Sequence, residues 1–140
     1  MPFEQILVAI DGSDGSDHAL QKALELASTL GARLVALAVE GPLPAYAATI
    51  AEVDEVKREK DTFFPSLLDG VRRRADDAGV PVEVELRPGH AAEVIVRVAR
   101  EREADLIVLG HKGHFLRDHL LGSTADRVAE RAECPVMIVR

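Results

Sequence analysis

The sequence predicts a single doubly wound α/β domain over residues 1–140, with a five-stranded parallel sheet in the order 3-2-1-4-5 and helices on both faces. Three observations lead there. Short apolar runs rich in β-branched residues recur along the chain, the pattern of strands covered on both sides. Segments with apolar residues at three- and four-residue spacing lie between them. The two patterns alternate along the whole length, which calls for right-handed βαβ crossovers. Aromatic residues make up only 4% of the chain and there is no Trp, so the interior is aliphatic.

Ile6 to Ile10 (ILVAI) is the first strand, running into Asp11-Gly12-Ser13. A helix follows from Asp14 to Leu30, with Ala19, Leu20, Ala23, Leu24, Ala27 and Leu30 on one stripe, Ser13 or Asp14 as N-cap and Gly31 as C-cap. Arg33 to Val39 is the second strand. Glu40 to Phe64 reads as a mobile connection, opened by Pro42 and Pro44, and Pro65 must kink or start a helix. Leu67, Leu68, Val71, Ala75 and Ala78 mark the second helix, ended by Gly79. Val80 to Leu86 is the third strand; Val94, Ile95, Val98 and Ala99 mark the third helix. Asp105 to Leu109 is the fourth strand, a fourth helix runs from about Thr124 to Ala132, and Val136 to Val139 is the last strand. Ending the sheet order, that strand is an edge with unpaired backbone groups and an apolar face.

Composition excludes several function classes. Seventeen Lys and Arg against twenty-four Asp and Glu give a net charge of −7, which repels nucleic-acid backbones unless basic groups gather on one face. Arg72 to Arg74 is the one such cluster, and the adjacent Asp76 and Asp77 mark it as a solvated helix face. Apolar runs such as Leu106 to Leu109 fall far short of the ~20 residues of a membrane span. Met1 to Ile10 has neither the basic start nor the apolar length of a signal peptide, so a cytoplasmic protein is expected. The lone Cys134 agrees with a reducing compartment and reads as a small buried hydrophobe.

Ligands of open parallel sheets bind beyond the carboxyl ends of the strands, where the strand order reverses. Two segments end there. Asp11-Gly12-Ser13 brings a carboxylate to a helix N-terminus, and Gly110-His111-Lys112-Gly113 leads through His114 to Leu121 into Gly122-Ser123-Thr124, which opens another helix. Glycines let a backbone come close to a ligand, so Gly110, Gly113 and Gly122 can aim amides at phosphate oxygens. Ser123 and Thr124 add hydroxyl donors, while Lys112, Arg117 and the loop histidines offset phosphate charge. An equally weighted reading is structural: the glycines make a tight turn, and Ser123 caps its helix with Asp126 completing a capping-box variant. Neither a Walker A loop nor a GxGxxG fingerprint occurs, which removes support for P-loop enzymes and dinucleotide dehydrogenases. His111, His114 and His119 share the loop but lack a fourth ligand for zinc, so no metal site is assigned. No nucleophile elbow accompanies Ser13 or Ser123, so neither a serine hydrolase nor any catalytic residue is assigned.

The segments VAIDGS with Ser16, Ala19, Leu20 and Ala23, then ADLIVLGHKG, LLGSTADRV and CPVMIVR, resemble the universal stress protein family from end to end. The most specific part is that family's nucleotide loop, Gly-x-x-Gly followed at a distance by Gly-Ser or Gly-Thr. Here the gap from His114 to Leu121 holds eight residues, one fewer than the family pattern, which tightens the loop and bears on phosphate count more than on nucleotide binding. The resemblance implies an adenine nucleotide, ATP or else ADP or AMP, with or without Mg²⁺. It maps Asp11 to the ribose and adenine side and Val39 to the adenine through its backbone, and Gly12 and Ser13 are counted with Asp11 among the cofactor-binding residues. Lys112 and His114 join Gly110, Gly113, Gly122, Ser123 and Thr124 around the phosphates. Gly89-His90-Ala91 stands where the family has Gly-x-Pro, and Gly89 remains able to approach the ligand. The resemblance further implies a homodimer through the last strand. The reading is thus a nucleotide-dependent switch in stress response, binding without turnover. A slow ATPase or phosphotransferase and a nucleotide-free interaction module are the alternatives.

Overall fold

The computed structural model describes residues 3–41, 49–111 and 123–140. Its strands are β1 (Gln5–Ile10), β2 (Arg33–Glu40), β3 (Val82–Pro88), β4 (Leu106–Gly110) and β5 (Val136–Val139), and its helices are α1 (Asp14–Leu30), α2 (Ile50–Ala78), α3 (Ala91–Glu101) and α4 (Thr124–Arg131). All pairings are parallel and the sheet order is β3-β2-β1-β4-β5, as the sequence predicts. The order reverses between β1 and β4, so a crevice opens at their carboxyl ends.

Strand side chains alternate between two aliphatic cores. On one face Ile6, Val8, Ile10, Leu34 and Ala36 pack with Leu20 and Leu24 of α1 and Phe64, Leu68 and Val71 of α2. On the other, Leu7, Leu37, Val39, Ile107 and Leu109 pack with Val94, Ile95 and Val98 of α3 and Val128 of α4. β1 is covered on both sides, so its run of apolar residues without polar alternation follows from its central position. Cys134 is half-buried beside the second core, and burial pushes its thiol above the ordinary value of 9.0. It is therefore protonated at neutral pH, in keeping with a packing role. Among the described residues, no helix is long and apolar enough to cross a membrane.

The helix ends are chemically specified. The Ser13 hydroxyl accepts from the Ser16 N–H at 3.1 Å, and α1 closes on Gly31 in the left-handed region. α4 begins at Ser123, whose hydroxyl accepts from the Asp126 N–H. His90 starts α3 without a side-chain cap bond, so the helix forms there although the Gly-x-Pro turn is absent.

The structure corrects two element boundaries. Residues 50–64 are helical, so α2 is 29 residues long and contains Pro65 in its interior. Pro65 and Asp61, whose carbonyl loses its i+4 donor, both face solvent, where water can satisfy that carbonyl. Residues 42–48, with Pro42 and Pro44, lie outside the described residues. β3 starts at Val82 instead of Val80, because the chain after Gly79 completes the α2 C-cap: the Val80 N–H donates to the Ala75 carbonyl and the buried Val80 side chain packs behind it.

The Arg72 to Arg74 cluster divides in role. Arg72 pairs with Asp69 one turn earlier, whereas Arg74 reaches across to Asp17 and Gln21 and ties α2 to α1. On the opposite face of β3, Arg87 grips Glu101 of α3 through two bonds of 2.8 and 3.0 Å and also meets Glu85, while Arg102 meets Glu83 and Glu85. Charged pairs thus close the outer flank of the sheet beside α3.

Candidate nucleotide site

A cleft lies at the carboxyl ends of β1, β2 and β4, at the switch point. Its walls are aliphatic: Leu37 and Val39 from β2, Ile95 from α3 and Leu109 from β4. Its polar lining is Asp11, Ser13 and Ser16 from the β1–α1 turn and Thr124 from the start of α4. Counted out to its mouth, open solvent included, the cleft spans about 470 Å³. The slot is aliphatic along its walls, and its polar groups come from the β1–α1 turn and the start of α4.

The β1–α1 turn is held by a closed set of hydrogen bonds. The Asp11 carboxylate accepts from the Ser13 N–H at 2.9 Å. The Ser16 hydroxyl accepts from the Asp11 N–H at 3.1 Å and donates to the Ser13 carbonyl at 3.2 Å. Asp11 thereby lines the cleft with its backbone and one carboxylate oxygen both fixed. The α1 and α4 N-termini reach the same cleft through Ser13 and Thr124, so two helix dipoles present their positive ends toward one region.

The sequence-predicted residues fall into three groups. Asp11, Ser13, Val39, Gly110 and Thr124 line the cleft, and Ser123 caps the helix that enters it. Gly12 and Gly89 border other structure. Gly12 has φ +83°, and a Cβ there would come within 2.8 Å of the Phe63 ring, so it serves the packing of α2 on the turn. The Gly89 N–H donates to the Glu40 carbonyl, and Gly89 sits against Val94 at the start of α3. Lys112, Gly113, His114 and Gly122 lie outside the described residues, as do Arg117 and His119. Among the described residues, no group of three His, Cys, Asp or Glu is placed to hold a metal ion.

Two features escaped the sequence reading. Gly110 is tight for a reason other than a ligand: a Cβ there would lie 2.4 Å from the Gly15 carbonyl oxygen and 2.5 Å from its carbon, so the end of β4 packs backbone to backbone on the first turn of α1. Paired glycines at 15 and 110 are the only signal of this in the sequence. Ser16, named there only as part of a motif, proves to be a polar lining residue.

A profile described as the universal stress protein family matches residues 2–140. The universal stress protein YxiE of Bacillus subtilis is 33% identical over 147 residues, spanning 99% of this chain and 99% of its own. Among solved structures, the universal stress protein UspA from Lactobacillus plantarum superposes with a TM-score of 0.84 at 27% identity, covering 100% of this chain and 99% of that one. A universal stress protein solved in complex with cAMP superposes with a TM-score of 0.79 at 26% identity, covering 100% and 99%.

Proposed function

The chain belongs to the universal stress protein family, and from that premise we propose that the cleft between β1, β2 and β4 binds an adenine nucleotide. One observation carries the reading: an apolar slot lined by the fixed Asp11 carboxylate lies at the strand-order reversal, where the starts of two helices converge. The purine enters between Leu37, Val39 and Ile95, with the Val39 backbone at its edge. Asp11 accepts from ribose hydroxyls, and the α1 and α4 N-termini together with the 110–124 segment take the phosphates. The relative solved with cAMP supports an adenylate as the ligand class. ATP is the expected form, with ADP and AMP as lower-charge alternatives and Mg²⁺ accompanying the polyphosphates. The protein binds the nucleotide without turning it over and acts as a cytoplasmic stress-response switch, paired as a homodimer through β5.

Isothermal titration with AMP, ADP, ATP and cAMP, each with and without Mg²⁺, tests the site. Asp11→Ala removes a charged acceptor and is expected to weaken adenylate binding about ten- to a hundredfold. Absence of heat from every adenine compound at millimolar concentration would overturn the reading.

A further inference from the structure

The hydrogen bonds of the β1–α1 turn depart from an ordinary helix start in a way that gives Ser16 a task. In a capping box the N3 side chain reaches back to the N-cap N–H. Ser16 occupies N3 of α1, but the N-cap N–H of Ser13 is already bonded to the Asp11 carboxylate. The Ser16 hydroxyl passes over that donor and takes the N–H of Asp11, two residues farther upstream. Its own proton goes to the Ser13 carbonyl, so the hydroxyl both accepts and donates.

Burial makes this bond consequential. Ser16 is the one polar residue buried among the described residues, at 7% exposure, and it borders the cleft. Burying polar groups without partners is unfavourable, and moving the Asp11 backbone would remove the one N–H the buried hydroxyl accepts, leaving it only its donor bond to the Ser13 carbonyl. Ser13 Oγ, Ser16 and Asp11 thus form one closed circuit, and the backbone at Asp11 cannot rotate without opening it. Outward movement of the turn is opposed by this circuit, and movement toward β4 by the Gly15–Gly110 contact.

We infer that Ser16 is the positioning residue of the site: its buried hydroxyl holds the Asp11 backbone so that the Asp11 carboxylate meets the ligand pre-placed. The inference rests on the nucleotide reading above and assigns Ser16 no contact with the ligand. Its effect on affinity is transmitted through Asp11, and that sets it apart from a residue that only stabilises α1.

A double-mutant cycle with AMP as the probe tests it. Ser16→Val and Ser16→Thr have the same shape and differ in the hydroxyl. Ser16→Val is expected to weaken AMP binding about tenfold, with Ser16→Thr restoring most of it. In an Asp11→Ala background, Ser16→Val should cost nothing further. Equal AMP affinity of folded Ser16→Val and wild type would overturn the inference, as would additive losses in the double variant. Should the valine variant not fold, amide exchange in the wild type decides: the Asp11 N–H should exchange slowly, and exchange at the rate of an open loop overturns the assignment. A wild type that does not bind AMP at all overturns the AMP reading of the site and this inference with it, so the two failures are told apart.

Discussion

At residue scale, the site is organised by atoms that are missing as much as by those present. Gly110 has no side chain, so the β4 backbone can touch that of Gly15, and both the slot and the α1 N-terminus depend on that approach. Gly110→Ala would force backbone against backbone, which neither partner can relieve by a rotamer change. The expected loss is about 1–3 kcal/mol, read as a lower urea midpoint at unchanged m-value. An unshifted midpoint would mean that the contact is loose. The sequence made Asp11, Val39 and Ser123 legible because strand ends and helix starts carry local signals. Gly12, Gly89 and Gly110 show why glycine alone is ambiguous: a Cβ would meet the Phe63 ring at the first, the Val94 side chain at the second and the Gly15 backbone at the third, and only the partner decides which.

Among elements, α2 shows how a strong local cue can obscure another. Pro65 reads as a boundary, yet Thr49-Ile50-Ala51-Glu52 has the capping-box pattern, and the Thr49 hydroxyl accepts from the Glu52 N–H at 3.1 Å. The helix start was therefore written in the sequence, fifteen residues before Pro65 if counted from Ile50. The third strand slipped by two residues because Val80 is apolar for the sake of a helix end. The alternation of Glu83, Glu85 and Arg87 with Val82 and Val84 marks the true strand, the valines packing against the core that α2 shares and the charged residues forming the ion network. That network makes β3–α3 docking sensitive to acid. The bond from Arg87 holds the Glu101 carboxyl below its ordinary value of 4.5. A carboxyl with a lower pKa in the folded chain contributes its full stability above the unfolded value and loses it as pH falls through the folded one. Melting temperature should therefore decline below about pH 4.5, and Glu101→Gln should flatten that part of the curve; an identical acid limb in both proteins would remove Glu101 from the account.

For the whole molecule, the order β3-β2-β1-β4-β5 leaves two edges that are not equivalent. β3 carries Glu83, Glu85 and Arg87, whose charges discourage pairing, whereas β5 is Val136-Met137-Ile138-Val139, with Ile138 39% exposed. Association should therefore use β5, and light scattering at micromolar concentration is expected to give twice the 15.2 kDa chain mass. Ile138→Lys should shift the particle to one chain, and a monomeric wild type would refute the pairing. The Phe63 ring, resting on Gly12 beside the β1–α1 turn, has an optical consequence. Because the chain contains no Trp, an indole installed there would be its sole long-wavelength emitter. Its fluorescence would follow the turn next to the slot with no background from the rest of the protein.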